Sequence, residues 1–429
     1  MAILVQKYGG TSVGDAARIE RVAERIVETA RSGQKVCVVV SAMGSTTDEL
    51  LDLAAQISPT PHARELDMLL TAGERISMAL LSMAIIDRGK EAISLTGSQA
   101  GIVTDTTHGR ARIVEIKARR VLEALEAGKI VIVAGFQGVS TEFDVTTLGR
   151  GGSDTTAVAL AAALGADVCE INTDVDGVFT ADPRMVSNAR KLHAVSYEEM
   201  LEMSASGARV LMARCVEYAR NHDVLIHVRS SFGDREGTWI REEDERMEQA
   251  MISGVAHDTS EAKMTVRGVP DRPGIAARVF RPLADDGINI DMIVQNISAD
   301  GRTDISFTLP EDDLKRAESV LEAAVSAVGA ERVETDADIA KISLVGAGMK
   351  SHPGVAADMF DALAEAGVNI ELISTSSIRI SCVVRAAEVE NAVRAIHDRF
   401  SLSQEAIFRE AHPATATGQI RALRGESQR

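Results

Sequence analysis

The chain has 429 residues, enough for two to four domains, and its 45% hydrophobic and 25% charged residues are typical of a soluble globular protein. A formal net charge of −17 and an aromatic content of 3% argue against nucleic acid as a partner, because the chain would repel a phosphate backbone and has few rings to stack on bases. Four scattered cysteines indicate no disulfide framework or zinc site. With no secretory signal and no apolar run of membrane-spanning length, we expect a cytoplasmic protein.

The first half of the chain alternates apolar strands with helices. A strand at residues 2–6 leads into the loop 7–12, and an amphipathic helix follows it. Continuous apolar strands separated by helices of ten or more residues are typical of a parallel sheet covered on both faces, so residues 1–245 are predicted to form one three-layer, mostly parallel α/β domain. The other predicted elements are strands in KVCVVVSAM, EAISL, KIVIVAGF, ADVCEIN and VLIHVRS, and helices at 46–57 and 63–88.

The second half contains an internal repeat at an offset of 80 residues, in which Pro273-Gly274 matches Pro353-Gly354 and Gly287 matches Gly367. Two copies are too few for a solenoid, so we predict two α+β modules, each with the order strand, Pro-Gly turn, helix, glycine stop, strand. A dense charge run at 241–249 indicates either a linker or a solvated helix. The predicted divisions are a linker at 246–262, modules at 263–340 and 341–408, and a disordered tail at 409–429.

Three polar or glycine-rich loops follow predicted strands, where an open α/β sheet binds its ligand. The first, Lys7-Tyr8-Gly9-Gly10, could bring backbone and a positive charge to a phosphate, although two glycines after a strand are more often just a tight turn. The sequence contains neither G-x-x-x-x-G-K-[ST] nor G-x-G-x-x-G, so neither a P-loop nor a dinucleotide-binding fold is supported.

The second loop, 148–156, is more informative. Ser153 or Asp154 could serve only as a helix N-cap. Three glycines in four positions exceed what capping requires, however, and they expose backbone N–H groups at a helix N-terminus beside Arg150, whose guanidinium suits a carboxylate or phosphate. The third loop, 172–184, contains two aspartates and an arginine. Turn chemistry could explain each turn singly, and the spacing lacks the pattern of a calcium loop.

Taken in order, KYGGTS, SAMG with TTDEL, LLTAGERIS, GFQGV, TTLGRGGSDTTA and TDVDGV with TADPR resemble the aspartokinase family from residue 2 to about residue 400. The repeat resembles the paired ACT domains of the same family. Acetylglutamate kinase, glutamate 5-kinase and uridylate kinase share the fold but not this set of motifs. The resemblance implies ATP as phosphoryl donor, Mg²⁺ bound mainly through the ATP phosphates, and L-aspartate as acceptor. The implied product, 4-phospho-L-aspartate, enters the lysine, threonine and methionine route.

The resemblance also implies roles for single residues. Lys7 and Asp154 are the implied catalytic pair. Without the resemblance, Glu74 and Arg209 would be interpreted as parts of solvated helix faces. The implied aspartate-binding residues are Ser41, Thr47, Glu74 (α-ammonium), Arg150 (α-carboxylate) and Ser153. The implied ATP-binding residues are Lys7, Tyr8, Gly9, Gly10, Ser41, Gly151, Gly152, Thr173, Asp174, Phe179, Arg184 and Arg209, and no separate metal site is predicted.

In the repeat, the resemblance implies a site for amino-acid effectors, threonine or lysine. A dimerisation platform without a ligand is the alternative. Ser377 stands where close relatives carry Glu, which removes a carboxylate that could face a lysine ammonium and so favours threonine. The implied effector-binding residues are Asp271, Gly274, Ala276, Asn289, Ile290, Asp291, Gln295, Asn369, Ile370 and Ser376.

Two further departures from the family pattern lie in the first half. Arg209 replaces Lys, which keeps the charge but changes its geometry, and Met212-Ala213 replaces a His-Pro pair, which we interpret as packing. We expect a homo-oligomer, or assembly with a short subunit started internally at Met247 or Met251. The alternative functions are a feedback-insensitive paralogue, a kinase for glutamate or acetylglutamate, and a non-catalytic amino-acid sensor.

Overall fold

The structure, a computed structural model, describes residues 2–243, 252–296, 301–350, 352 and 354–404. The strands of its first domain are β1 (Ile3–Tyr8), β2 (Lys35–Val40), β3 (Ala92–Leu95), β4 (Ile102–Thr104), β5 (Ile113–Ile116), β6 (Ile130–Ala134), β7 (Gln137–Ser140), β8 (Val145–Thr147), β9 (Val168–Thr173), β10 (Ala194–Ser196), β11 (Ile226–Ser230) and β12 (Thr238–Arg241). Its helices are α1 (Ala16–Arg31), α2 (Thr46–Ile57), α3 (Ala63–Asp87), α4 (Arg119–Glu126), α5 (Gly152–Leu164), α6 (Tyr197–Ala205) and α7 (Ala213–Asn221).

An eight-stranded sheet in the order β10-β12-β11-β9-β1-β2-β6-β3 organises this domain, and only the β11–β12 pair is antiparallel. Helices α1 and α3 pack on one face, whereas α4, α5 and α7 pack on the other. The predicted three-layer, mostly parallel fold is therefore confirmed. A second, small sheet in the order β5-β4-β7-β8 was not predicted, because its strands have only three or four residues each.

Helix α3 corrects one sequence expectation. Its 25 residues are long and apolar enough to cross a membrane, judged by length and composition alone, whereas the sequence indicated no such segment. Half of the apolar window is buried within the fold, and the helix carries two buried carboxylates, Asp67 and Glu74. These features are those of a core helix in a domain of this kind.

The second half forms two four-stranded antiparallel sheets, each with helices on one face. The first is ordered β15-β16-β14-β17 and the second β13-β18-β20-β19. Their strands are β13 (Gly254–Asp258), β14 (Glu261–Pro270), β15 (Ile293–Gln295), β16 (Arg302–Pro310), β17 (Arg332–Asp336), β18 (Ile339–Val345), β19 (Leu372–Thr375) and β20 (Arg379–Arg385), and their helices are α8 (Ile275–Asp285), α9 (Leu314–Val328), α10 (Val355–Glu365) and α11 (Val389–Arg399).

The predicted linker is wrong in its described part, because residues 254–258 form β13, an edge strand of the second module, and β14 already begins at Glu261. In the first module the corresponding edge position is filled by β17. The chain thus enters the second module, completes the first, and returns to the second. The charge run from 244 onward, both proposed start methionines, Pro353 and the predicted tail lie outside the described residues.

The second module also packs on the first domain. Ala181 and Val186 belong to its hydrophobic core, and His397 on α11 is hydrogen-bonded to Thr180 (Nε2–Oγ1, 3.0 Å). The Val255 N–H of β13 donates to the Thr180 carbonyl at 2.7 Å. The third polar loop of the first domain is therefore held directly by the second module.

Candidate active site

The loop after β1 brings a lysine and a carboxylate together. Lys7 Nζ lies 2.5 Å from Asp154 Oδ1, and the two side chains are only 11% and 12% exposed. The Gly9 N–H donates to the Asn172 carbonyl at the end of β9, at 3.3 Å. Because β1 and β9 are parallel neighbours, the first and third predicted loops meet at one edge of the sheet.

The same loop packs tightly against the loop after β2. A Cβ at Gly10 would lie 2.8 Å from the Ala42 carbonyl oxygen, so only glycine allows this approach. Ser41 donates its N–H to the Tyr8 carbonyl at 3.2 Å. The Tyr8 side chain, in contrast, is completely buried under α1, so only the backbone of this predicted ATP-binding residue is available at the loop.

Glu74 enters from α3 and is 3% exposed. Its Oε1 accepts the Ala42 N–H at 3.2 Å, while its Oε2 is buried without a hydrogen-bond partner among the described residues. Burial raises the pKa of this carboxyl from 4.5 to about 7, although two backbone hydrogen bonds oppose the rise. Gly73 permits the contact, because a Cβ there would lie 2.7 Å from the Ala42 Cβ and 3.5 Å from Thr46 Cγ2, next to the predicted Thr47. Glu74 is thus a buried carboxylate with one oxygen free for a ligand, not part of a solvated face.

Helix α5 begins before Ser153 and Asp154, so the alternative in which one of these residues is its N-cap is excluded. Its N-cap is Gly151, which adopts a left-handed conformation (φ 68°), so Ser153 and Asp154 lie inside the first turn and neither is the N-cap. The Gly152 N–H donates a hydrogen bond to the Gly149 carbonyl at 2.9 Å. The donors that the helix N-terminus leaves for an anion are therefore the N–H groups of Ser153 and Asp154.

Arg150 precedes this helix, is exposed, and forms no ion pair within the described parts of the chain. Met212 packs against this loop, because a Cβ added at Gly151 would lie only 1.9 Å from the Cγ of Met212. The interpretation of Met212 as a packing residue is consistent with this contact. Ser153 lies on the opposite side of the loop, where its Oγ would be 2.7 Å from a Cβ at Gly135.

The third loop lines a cavity of about 610 Å³. Asp182 holds Arg184 by an ion pair of 2.7 Å, and the hydrogen bonds from Arg184 keep the pKa of Asp182 below its usual value. Five of the predicted ATP-binding residues line this cavity, namely Thr173, Asp174, Phe179, Arg184 and Arg209. The cavity is also lined by β13 residues, including His257, and none of these was predicted as a site residue.

The site therefore combines a cavity that carries two arginines, a glycine loop with a buried Lys–Asp pair, a free helix N-terminus, and a buried carboxylate with one unsatisfied oxygen. These features lie at the carboxyl ends of β9, β1 and β2, in a molecule that is otherwise strongly acidic. Such a site can hold a polyanion beside a small zwitterion.

Comparison with known proteins identifies the family of the chain. The amino acid kinase family matches residues 2–230, and the ACT domain matches residues 265–325 and 342–400. The aspartokinase of Mycolicibacterium smegmatis is 62% identical over 407 residues, which is 94% of this chain and 97% of the relative. The aspartokinase of Corynebacterium glutamicum is 59% identical over 410 residues, with the same coverage. The chain belongs to the aspartokinase family. It is therefore an enzyme, a phosphotransferase with ACT domains in its second half.

Solved aspartokinases share this architecture. The structure of E. coli aspartokinase III in complex with aspartate and ADP (R-state) has a TM-score of 0.80 and 26% identity, and the match covers 92% of this chain and 99% of that one. The complex of the same enzyme with lysine and aspartate (T-state) has a TM-score of 0.71 and 26% identity, covering 93% and 99%.

The predicted effector residues of this aspartokinase fall into three places. Asp271, Gly274 and Ala276 lie at the start of α8, where Gly274 (φ 88°) is the N-cap. Ile370 lines a cavity of about 820 Å³ between the two modules. Asn289, Ile290, Gln295 and Asn369 lie on or just before the edge strands β15 and β19.

Asp291 and Ser376 are exposed, and both already contact other parts of the chain. Asp291 Oδ2 lies 2.6 Å from Lys341 Nζ, and the Ser376 hydroxyl donates to Glu202 of the first domain at 3.2 Å. The sequence could not indicate these contacts, because each partner is at least 50 residues away along the chain.

Two supporting residues were missed. Buried Asp67 accepts the Thr147 hydroxyl at 2.5 Å and the Gly109 N–H at 3.1 Å. Arg214 donates to the Leu148 carbonyl at 3.0 Å, at the start of the Arg150 loop. An acidic residue within the apolar stretch of α3 was the only signal for Asp67, and nothing in the sequence distinguished Arg214 from other surface arginines.

Proposed function

We propose that this enzyme transfers the γ-phosphoryl group of ATP to the β-carboxylate of L-aspartate and yields 4-phospho-L-aspartate and ADP. The observation that carries the proposal is the buried, unpartnered Oε2 of Glu74, and we infer that exposed Arg150 faces the same ligand. One carboxylate for an α-ammonium and one guanidinium for an α-carboxylate form the pair that an amino acid requires. E. coli aspartokinase III, which binds aspartate and ADP, supports the same assignment.

The chemistry requires no general base. An aspartate side chain has an unperturbed pKa of about 3.9, so its β-carboxylate is ionised at neutral pH and no proton is transferred. One carboxylate oxygen forms a bond to the γ-phosphorus, and the bond from that phosphorus to the β–γ bridging oxygen breaks as ADP leaves. The barrier lies in bringing two anions together, so positioning and electrostatic stabilisation supply most of the catalysis.

The residues present have suitable roles for this step. Lys7, held by Asp154, and the N–H groups of Ser153 and Asp154 face the transferring group, with Ser41 beside them. Thr47 and Ser153 add neutral hydrogen bonds to aspartate. Residues of the 610 Å³ cavity, with Gly9 and Gly10, bind the rest of ATP.

Mg²⁺ carried by the ATP phosphates would neutralise part of their charge. No group of three or more His, Cys, Asp or Glu among the residues described could hold the ion alone, so a site shared with ATP fits these residues best.

We further propose that the ACT domains carry feedback control by threonine, alone or together with lysine, at the start of the lysine, threonine and methionine route, in the cytoplasm. Lysine bound to E. coli aspartokinase III supports an amino-acid effector, and Ser377 in place of Glu favours threonine. A homo-oligomer, or assembly with an internally initiated short subunit, is part of this proposal.

The test is ADP release in the presence of ATP and Mg²⁺ with aspartate, glutamate or acetylglutamate, and hydroxylamine traps the acyl phosphate. Turnover of aspartate alone is expected. Turnover of glutamate but not aspartate would overturn the assignment of aspartate as the substrate. ADP binding without any turnover would favour a non-catalytic sensor. Titration of the activity with threonine and lysine tests the proposed feedback control. An activity that does not change with either amino acid would favour the feedback-insensitive alternative.

A further inference from the structure

Five charged side chains meet where the first domain and both ACT domains contact one another. Lys341 on β18 has a side chain that is 1% exposed, and its ammonium contacts Glu261 on β14 and Asp291 Oδ2, the latter at 2.6 Å. Arg379 on β20 lies 3.1 Å from Glu202 Oε2 on α6 and 3.9 Å from Asp291 Oδ1. We call these five residues the junction cluster. None of them touches the site proposed for aspartate or the glycine loop.

Lys341 also makes one contact with the first domain. Its Nζ donates to the carbonyl of Ala205, the last residue of α6, at 3.3 Å. The carbonyl end of a helix carries partial negative charge and unsatisfied acceptors, so a buried ammonium is a strong partner for it. The position of the end of α6 is therefore tied to the junction cluster.

The segment that follows α6 forms part of the nucleotide cavity. Gly207, Ala208 and Arg209 all line it. A Cβ at Gly207 would lie 2.0 Å from the carbonyl oxygen of His257 on β13, so the segment has no room to shift toward that strand. A displacement of the end of α6 would consequently move Arg209 relative to the cavity.

Removing the ammonium would leave unsatisfied groups behind. Burial alone would lower the pKa of Lys341, but the adjacent carboxylates of Glu261 and Asp291 raise it above its usual value, so the side chain is charged. An apolar replacement would leave a buried carboxylate and the Ala205 carbonyl without their partner. The Ala205 carbonyl is the group in the first domain that such a replacement would release, so the end of α6 is where that domain would respond.

We propose that Lys341 is a positioning residue for the nucleotide cavity, which fixes the Gly207–Arg209 segment through the end of α6 and connects it to Asp291 in the loop before β15. The inference rests on the proposed function, because it takes the 610 Å³ cavity as the ATP site. It connects the predicted effector loop to that site indirectly, through Lys341 and the end of α6.

The test is steady-state kinetics of Lys341→Met, with the KM for ATP and the KM for aspartate measured separately, and calorimetric titration with ADP. The KM for ATP and the Kd for ADP should rise about tenfold, while the KM for aspartate should stay within about twofold of the wild type. Lys341→Arg should recover most of the loss, because it keeps the charge. Equal changes in both KM values, or none, would overturn the proposal.

Lys263→Met is the matched control. Lys263 also forms an ion pair between the two ACT domains, with Glu371, and a second one with Asp336 of its own domain, but it has no contact with α6. It should leave both KM values and the ADP affinity unchanged, and a nucleotide defect as large as that of Lys341→Met would refute the route through α6.

If Lys341→Met does not fold, as judged by circular dichroism, the proposal is tested with Asp291→Asn instead. This variant is expected to raise the Kd for ADP about threefold. A wild-type Kd in that variant would overturn the proposal. Wild-type enzyme that binds ADP but forms no acyl phosphate would contradict the proposed function and leave this inference standing, whereas enzyme that binds no ADP would contradict both.

Discussion

The replacement Glu74→Gln should damage aspartate binding while it stabilises the protein. The structure buries this carboxyl to 3% exposure with one unpartnered oxygen, and its pKa is about 7 instead of 4.5. A hydrogen bond between charged groups is worth about 1.5–3 kcal/mol, so loss of the charge should raise the KM for aspartate by about 10- to 150-fold. The KM for ATP should change by less than about twofold, because Glu74 faces the other substrate.

The pH dependence follows from the same carboxyl. In the ligand-free enzyme Glu74 takes up a proton as the pH falls through about 7, and the protonated form cannot pair with an ammonium. The β-carboxylate of aspartate stays ionised down to about pH 5, so it does not contribute. The KM for aspartate should therefore rise by up to about tenfold for each pH unit below 7 in the wild type, and this rise should be absent in Glu74→Gln.

Stability should change in the opposite direction. Because the pKa of Glu74 is higher in the folded than in the unfolded state, the folded protein keeps this proton between about pH 4.5 and 7 while the unfolded chain loses it. The protonated carboxyl therefore contributes to the free energy of unfolding at low pH, and this contribution is lost as the pH rises through 7. The difference corresponds to about 3 kcal/mol. At pH 8 the glutamine variant should have the higher Tm, and at pH 4 the two proteins should be similar.

The assays are hydroxamate trapping for both KM values and thermal unfolding at pH 4 and pH 8. Glu65→Gln on the same helix is the control, because Glu65 is exposed and its one ion pair among the described residues is with Arg64, and it should behave like the wild type. A Glu74→Gln enzyme with the wild-type KM for aspartate and the wild-type pH profile would refute the reasoning.

Three further replacements test other parts of the site. Asp154→Asn should lower kcat by about 100-fold with little change in the KM for ATP, because Lys7 loses the partner that fixes its ammonium. An ADP-release assay that shows a change in KM alone would contradict this. Arg150→Lys should raise the KM for aspartate about tenfold, because the charge remains but the two-pronged hydrogen bonding is lost, and an unchanged KM would exclude Arg150 as the carboxylate partner. Asp67→Ala should lower the free energy of unfolding by about 3 kcal/mol in urea titration, since buried donors lose their acceptor; a loss below about 1 kcal/mol would show that the contacts of Asp67 are dispensable.

The fold of the first domain could be predicted because its strands are continuous apolar runs and its helices are long. β2 is buried at five of its six positions, and α1 has an apolar stripe that the sequence displays directly. β13 could not be predicted as a strand of the second module, because its partner β18 lies about 85 residues later and the pairing has no local signature. A short strand beside a charge run is typical of a linker.

The site could be predicted only where glycines or an ordered set of motifs made the chemistry visible. The glycine loop, the Arg150 loop and the residues of the third loop were found in this way, and the structure brings them to one edge of the sheet. Asp67 and Arg214 act through contacts 80 and 66 residues away in the chain, so only the fold reveals them. The ion pairs of Asp291 could not be predicted for the same reason, because its cationic partners come from other strands.

We expect aspartate and ATP to bind side by side at the ends of β9, β1 and β2, where the carboxylate of one can reach the γ-phosphate of the other. A crystal structure of the enzyme with aspartate and a non-hydrolysable ATP analogue tests this most directly. We expect the aspartate ammonium on Glu74, its α-carboxylate on Arg150, the γ-phosphate beside Lys7 and the nucleoside in the 610 Å³ cavity. Aspartate in a separate cavity, or a γ-phosphate distant from Lys7, would contradict the account.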